Sequence, residues 1–451
     1  MPSSKQYLTL QIQSLRAGKD GHGGKDEDPK SERRNRMASK HMVEDVAVEI
    51  LSQLPIKSLM RFKSLSKYYS ALIRDHYFIK KHFQWSAKNP RSLIFHYSLI
   101  RPLQSRLSLF SDELSQTPDE FGLPNPQTPQ AFLDLGLLFG TSLPIPLVPE
   151  AQVSMYLELP VLDERAFRLV PWGLCMGIFC LHVSYLNSPD DLMLWNPATR
   201  EVKVLPLPNH LRPVLKICIH GFGIDTETND FKVVCIWMAK QLPNHLRETN
   251  LNLPWVEVYS LKSNSWKKID VTLPNCNLLN PVFVFNSYLN GFYHWLSSEG
   301  IICFDMSNEV FSIMNLPVVI AETPEHIVKV SLSVLNGCIA YVLEYGNWKR
   351  LSYLIEKRRI EIWVMDNYGV EESWTKHFSI GPHLGLGTFR GSLKDGEILV
   401  TSALLGRLLS YNLDTQQPVM EFPLPHGPFL AAAFIYVESV VRLSGFVEEE
   451  A

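Results

Sequence analysis

The sequence predicts a small all-α module followed by an all-β propeller. Three observations predict it. Apolar residues recur at helical spacing between residues 42 and 85. From about residue 91 the pattern changes to alternation in short strands. A hairpin unit with polar turns and an apolar-Pro ending then recurs through the rest of the chain.

Composition bounds the reading. The chain has 451 residues, 46% hydrophobic and 20% charged, which is ordinary for a globular protein of two or three domains. A formal net charge of −3 supplies no global basic field, so neither nucleic acid nor a membrane surface is expected as a partner. No apolar run reaches the ~18–20 residues of a membrane helix. Seven cysteines (Cys175, Cys180, Cys218, Cys235, Cys276, Cys303, Cys338) are scattered without a CxxC pair. That is neither a disulfide framework nor a zinc site, so buried reduced thiols and no metal or cofactor are expected. With no glycosylation sequon and no signal peptide, the expected location is cytoplasm or nucleus.

Residues 1–40 stand apart. Lys19 to Lys40 is charged, contains Gly21, Gly23 and Gly24, and has almost no apolar side chains. It buries too little surface to offset chain entropy and is expected as a disordered tail. Arg33, Arg34 and Arg36 are read as solvated, with nuclear import or phosphate binding as the alternative. Met37 offers a second start just ahead of the apolar pattern.

Within 42–85, Val43, Val46, Ala47, Ile50, Leu51 and Leu54 mark a first helix that Pro55 ends. Ile56, Leu59 and Phe62 mark a second. Leu65, Tyr68, Tyr69, Leu72 and Ile73 form a third stripe, and Asp75–Phe83 reads as a fourth helix. About forty residues make too small a core to stand alone, which is a physical reason to expect an adaptor that docks a partner. The run from Val46 to Lys63, with Glu49-Ile50-Leu51, Leu54-Pro55, Lys57-Ser58-Leu59 and Arg61-Phe62, resembles an F-box. Asp75-His76-Tyr77-Phe78 resembles the D-P-x-F run usual at the end of that motif. Two features depart from it. The usual opening Leu-Pro is His41-Met42, and the usual cysteines and tryptophan of the third helix are Ser64, Ser66 and Tyr69. The resemblance implies docking on the Skp adaptor of a cullin ubiquitin ligase through Ile50, Leu51, Leu54, Pro55, Ile56, Leu59 and Phe62.

The recurring unit of the body is anchored on Asn196, Ser260, Asp305, Asp366 and Asn412, at steps of 64, 45, 61 and 46 residues. The mean lies near the ~50 of kelch-type blades. Each unit is preceded by a second hairpin, with Asn290-Gly291, Asn336-Gly337 and Asp395-Gly396 as two-residue turns that favour positive φ. Two hairpins make a four-stranded meander. Five are visible, and a sixth is expected from Ser92–His96 onward, with Phe429–Val437 pairing there to close the ring. The expectation is a kelch-like propeller of six blades, with a pair of open stacked sheets as the alternative. The domains are then a tail at 1–40, a helical module at 42–85, a propeller at 91–440 and a second tail at 441–451.

Several runs resemble the plant F-box-associated domain and keep its order: Leu194–Arg200, Gly221–Asp225 with Asn229–Val234, Val258–Leu261 with Ser265-Trp266, Leu289–Trp295, Ile302–Met306 and Ile362–Met365 with Ser373-Trp374. Met176-Gly177 stands where the family often has Asn-Gly, which suggests a changed turn. The architecture is also similar to that of pollen S-locus F-box proteins, which recognise S-ribonucleases.

The sequence holds no HExxH, GxSxG, GxGxxG or Walker loop. Asp190-Asp191 and Glu371-Glu372 are adjacent pairs whose members point to opposite strand faces, so they are read as solvated turn residues. His294 and the repeated tryptophans Trp195, Trp266, Trp295, Trp363 and Trp374 are read as packing residues. In a meander, the strand 1–2 and 3–4 turns share one face of the ring and the 2–3 connections share the other. On the second face Met238–Pro254 and Gly346–Arg359 exceed the length a hairpin needs. The latter carries Trp348, Lys349, Arg350, Lys357, Arg358 and Arg359, a basic set with an aromatic anchor that is expected to contact a protein target.

The function expected is a non-catalytic substrate receptor of a Skp–cullin–F-box ligase, with an unidentified protein substrate. Two alternatives stay open: a propeller lectin or enzyme, and an F-box protein acting outside a ligase.

Overall fold

Four short helices precede the first strand among the described residues, and single polar residues separate the last three. The computed structural model describes residues 45–98, 106–110, 153–157, 166–185, 190–206, 215–239, 255–270, 287–317, 327–346, 357–384, 386–393, 396–402, 407–422 and 429–443. The expected tail at 1–40 therefore lies outside them. Helix α1 spans 45–51, with Val48 and Leu51 buried and Val46 exposed. Pro55 precedes α2 (Ile56–Leu65), where its missing N–H removes no helical bond, and its carbonyl accepts from Ser58 and Leu59 at 2.9 and 3.2 Å. Ser66, in extended conformation, ends α2, and its hydroxyl caps α3 (Lys67–Arg74) by accepting from the Tyr69 N–H. Asp75 repeats the device for α4 (His76–Ser86), accepting from Tyr77 and Phe78 at 2.9 and 3.2 Å.

The remaining elements form six four-stranded antiparallel sheets among the described residues. The first joins β1 (Arg91–Ser98), β2 (Arg106–Phe110) and β3 (Val153–Leu157) to the last strand, β24 (Phe429–Tyr436). The second holds β4 (Ala166–Cys175), β5 (Ile178–Tyr185), β6 (Asp191–Asn196) and β7 (Glu201–Val204). The third holds β8 (Leu215–Asp225), β9 (Asp230–Ala239), β10 (Trp255–Ser260) and β11 (Ser265–Ile269). The fourth holds β12 (Tyr288–Leu289), β13 (Phe292–Leu296), β14 (Ile301–Asp305) and β15 (Phe311–Met314). The fifth holds β16 (Ile327–Leu335), β17 (Cys338–Tyr345), β18 (Lys357–Met365) and β19 (Trp374–Leu384). The sixth holds β20 (Leu386–Ser392), β21 (Glu397–Ser402), β22 (Arg407–Asn412) and β23 (Gln417–Phe422).

β24 pairs with β1 along its whole length, Arg91 opposite Tyr436 and Ser98 opposite Phe429. The ring is thus closed by joining the two ends of the domain, as the sequence pattern suggests.

Apolar seams hold neighbouring sheets together. Leu93 and Phe434 pack with Leu169 and Trp195 between the first and second sheets. Phe179 of the same seam meets Phe434 edge-on. Phe222 and Tyr259 pack with Ile178 and Leu194. Val256 and Ile236 meet Trp295 and Phe304. Cys303 and Ile301 meet Tyr341 and Leu343. Ile360 and Val342 meet Phe389 and Val400. Ile94 and Ala433 meet Leu399 and Phe422, which returns the seam to the first sheet. Burying one such side chain contributes about 1.5–3 kcal/mol against ~0–1 for an exposed ion pair, so these seams dominate ring stability.

Tryptophans add directed bonds across the seams. Trp374 donates to the Asn315 carbonyl of the preceding sheet at 3.1 Å, and Trp295 donates to the His220 carbonyl at 2.9 Å. Trp266 donates in the same sense to the Pro206 carbonyl. The repeat anchors also have a physical role. Asn196, Asp305 and Asn412 end the third strand of their sheets, and their side-chain oxygens accept the N–H groups of the next turn.

Three expectations are corrected. Met176 does not change its turn: it takes φ 45° with Gly177 at 76°, close to the 52° and 87° of Asn290 and Gly291. The position imposes this, because Val437 and Ser439 lie where a Cβ on Gly177 would go. Residues 441–443 are not a tail, since Val441 and Leu443 are buried against the second and third sheets. Lys357, Arg358 and Arg359 begin β18 and are not loop residues.

Candidate functional site

Antiparallel order assigns each connection to one of two faces. The near face carries the strand 1–2 and 3–4 turns, and the far face carries the 2–3 connections. β24 leaves the ring on the near face, and residues 437–443 run across the second sheet there. Asn196 Nδ2 donates to the carbonyls of Ser439 and Val441 at 2.9 and 2.8 Å. Glu201 accepts from the Leu443 N–H at 2.8 Å and from Arg442 Nε at 3.3 Å.

Helices α2 and α4 meet this segment. Ile79 of α4 packs on the cluster that contains Val441 and Leu443. Burial and the Arg442 guanidinium push Lys63 of α2 below the usual lysine range, with Glu201 opposing them. The compact units of the chain accordingly divide at 54/55, with α2 to α4 grouped with the ring.

The adaptor-binding set expected from sequence divides by exposure. Leu51, Ile56 and Leu59 are buried; Ile50, Leu54 and Phe62 are half-buried; Pro55 is exposed. The most exposed apolar side chains of α2 to α4 are Leu65 at 71%, Tyr77 at 63% and Tyr68 at 45%. Phe62, Tyr68 and Tyr69 form a chain of edge-to-face rings, with centroids 5.7 and 5.4 Å apart. The helical stripe signalled that Leu65 and Tyr68 are apolar, but it did not reveal that they are exposed.

Elsewhere on the near face a group of charges is matched internally. Lys232 reaches Asp225 at 3.1 Å, Glu309 at 3.0 Å and the Met306 carbonyl at 2.7 Å. Burial opposes ionisation of Asp225. Bonds from Thr228, Ser307 and Lys232 outweigh it and hold the carboxyl well below the usual range. This knot ties the third and fourth sheets together.

The far face holds what the structure describes of the expected target-binding set. Trp348, Lys349 and Arg350 lie outside the described residues, as does the side chain of Lys357. Arg359 Nε is 3.4 Å from Glu361 Oε1, and its guanidinium lies 4.4 Å from the Tyr345 ring centroid. Tyr345 donates to Glu361 Oε2 at 3.0 Å. Arg358 is buried against Gly346. Sequence reasoning missed Lys329 and Glu344, which pair at 3.1 Å across β16 and β17. They lie far from the basic run in sequence, and only the strand register brings them to the same end of the sheet.

A second far-face group surrounds Asp190, which sequence reasoning placed in a solvated turn. It lies 3.1 Å from His182 Nε2 and accepts from Ser184 and Tyr185, while Asp191 accepts from the Tyr185 hydroxyl at 3.0 Å. No cluster of metal-ligating side chains occurs among the described residues.

The F-box domain family model matches residues 40–81, and the F-box associated beta propeller domain model matches residues 162–404. The chain belongs to the F-box-associated β-propeller family. The F-box protein CPR1 of Arabidopsis thaliana is 26% identical over 356 residues, covering 74% of this chain and 72% of that protein. An F-box/kelch-repeat protein of the same plant is 26% identical over 341 residues, covering 74% and 77%. Among solved structures, TolB from Acinetobacter baumannii aligns with a TM-score of 0.37 and 8% identity, over 80% of this chain and 73% of that one. The matched F-box-associated region lies in the ring of six sheets, whose near face adjoins helices α2 and α4.

Proposed function

We propose that the chain is a substrate receptor of a Skp–cullin–F-box ubiquitin ligase. The F-box docks on the Skp adaptor, and the propeller presents a protein target. The chain supplies no catalytic residue; it raises the local concentration of target lysines beside the ubiquitin-conjugating enzyme. The observation that supports this reading is polarity of construction: α2 and α4 meet residues 441–443 on the near face, and the longer 2–3 connections leave from the far face. Docking contacts come from Pro55, Phe62, Leu65 and Tyr68, while buried Ile56 and Leu59 hold the helices in shape. The chain acts in cytoplasm or nucleus, where such ligases assemble.

Reconstitution tests it. The chain is combined with a Skp adaptor, a cullin, ubiquitin and the conjugating enzymes. Ubiquitin is expected on the chain's own lysines only when the Skp adaptor is present. No Skp-dependent modification, together with no Skp-dependent complex, overturns the reading.

A further inference from the structure

We propose that residues 437–443 are a strap that ties helices α2 and α4 to the near face of the ring, so that docking of the helices sets the direction in which the ring presents its target. The inference rests on the receptor reading and names what holds the geometry of ubiquitin transfer.

The segment is irregular, yet it is fastened along its length. β24 ends at Tyr436, and Ser439, Val440, Val441 and Leu443 are buried beyond it. Buried backbone groups that lie outside a ladder need other partners. Side chains supply them. Asn196 Nδ2 donates to the Ser439 and Val441 carbonyls, and Glu201 Oε2 accepts from the Leu443 N–H. Ser439 Oγ accepts from the Val441 N–H at 3.3 Å. The turn after β4 presses on the same segment, because a Cβ on Gly177 meets the Val437 carbonyl oxygen and Ser439.

The strap also meets the helices. Val441 and Leu443 belong to the apolar cluster on which Ile79 of α4 packs. Arg442 Nε lies 3.3 Å from Glu201 Oε1, and both groups act on Lys63 of α2. Glu438 pairs at 3.4 Å with Arg91, the first residue of β1. Only residues 87–90 join α4 to β1. A link of that length limits distance and leaves rotation free. A second contact, made by a different part of the chain, removes the rotation. Burial of Leu443 supplies most of the hold, because a half-exposed ion pair such as Arg442–Glu201 contributes little. The polar bonds set the register of the strap on the second sheet. A receptor that works by proximity depends on such a hold, because small misplacements cost effective concentration.

Amide hydrogen exchange and reconstituted ubiquitin transfer on the full chain test the inference. The variants are a Val441→Asp, Leu443→Asp double and Glu201→Ala, beside Glu201→Gln, which keeps an oxygen able to accept from the Leu443 N–H. In the double variant, residues 437–443 and α4 are expected to exchange at least about tenfold faster, while β17 on the opposite side of the ring exchanges as in wild type. Glu201→Ala should raise exchange in the same two segments by less, and Glu201→Gln by less again. Skp affinity should stay within about twofold, since Leu65 and Tyr68 are unchanged. Ubiquitin should spread to lysines of the chain that wild type leaves unmodified. A variant that frees 437–443 while α4 stays protected overturns the strap. A variant that frees both and keeps the wild-type set of modified lysines overturns its role in transfer. If the double variant also exposes β17, the same comparisons are read from the Glu201 variants. Absent Skp binding by wild type overturns the receptor reading, and hydrogen exchange still decides the strap.

Discussion

Asn196 Nδ2 lies 2.8 Å from the carbonyl oxygen of Val441, so a side chain at the end of β6 holds the segment beyond the closing strand. The same side chain donates to the Ser439 carbonyl and accepts from the Ala198 and Thr199 N–H groups. One buried amide thereby joins the ring, its closing strand and the surface on which α4 packs.

Replacing Asn196 by alanine leaves two buried carbonyls and two turn N–H groups without these partners. A loss of about 2–4 kcal/mol is expected, since each stranded buried group costs roughly 1–3 kcal/mol before relaxation. Urea unfolding checks it. A loss below about 0.5 kcal/mol contradicts the role given to this residue.

Gly177 and Gly337 separate two causes of glycine dependence. Both have positive φ, 76° and 78°. A Cβ on Gly177 meets the Val437 carbonyl oxygen and Ser439, whereas one on Gly337 meets nothing within 4 Å. Gly337→Ala should cost about 1 kcal/mol of backbone strain, and Gly177→Ala clearly more. Equal melting temperatures for the two variants contradict the packing argument.

His294 should give the fold an acid-sensitive component. Its Nδ1–H donates to the Ser287 carbonyl at 2.7 Å, and its Nε2 accepts from the Tyr368 hydroxyl at 2.8 Å. Burial pushes its pKa down to about 4, against the pull of the Ser287 carbonyl. The unfolded chain takes up this proton more readily, near 6.5. The stabilisation is therefore fully present above about 6.5 and is lost as pH falls from there toward 4, at most about 3 kcal/mol. Unfolding free energies at pH 7.5, 6 and 5 should fall less steeply for His294→Gln than for wild type. Parallel profiles contradict the prediction.

Asp225 acts at lower pH. Its depressed pKa stabilises the fold above the ordinary carboxylate range, near 3.9, and that stability is lost as pH falls below it. Asp225→Asn should be destabilised at pH 7 and should approach wild type in strong acid. Its pH profile of urea midpoints is the check.

The architecture was legible in the sequence because its signals are local. Ser66 and Asp75 cap helices within three residues, and the anchors Asn196, Asp305 and Asn412 bind their own turns. Ring closure was legible because Phe429–Val437 is an apolar strand that only the first sheet lacks. What escaped the sequence depends on long-range register. Lys329 and Glu344 meet Arg390 only through the packing of β16 and β17 against β20. Val441 and Leu443 read as a tail because burial by another sheet leaves no local pattern. Leu65 and Ile56 look alike in a helical stripe, yet one is exposed and the other buried.

The central claim is that the exposed apolar end of α2 and α3 docks the Skp adaptor while the ring stays intact. Titration calorimetry of the full chain with a Skp adaptor tests it most directly, using wild type beside a Leu65→Asp, Tyr68→Asp variant. Both residues are exposed, so the variant should melt as wild type does. The expected result is wild-type binding that the variant weakens at least about tenfold. An unbound wild type, or a folded variant that binds equally well, contradicts the claim.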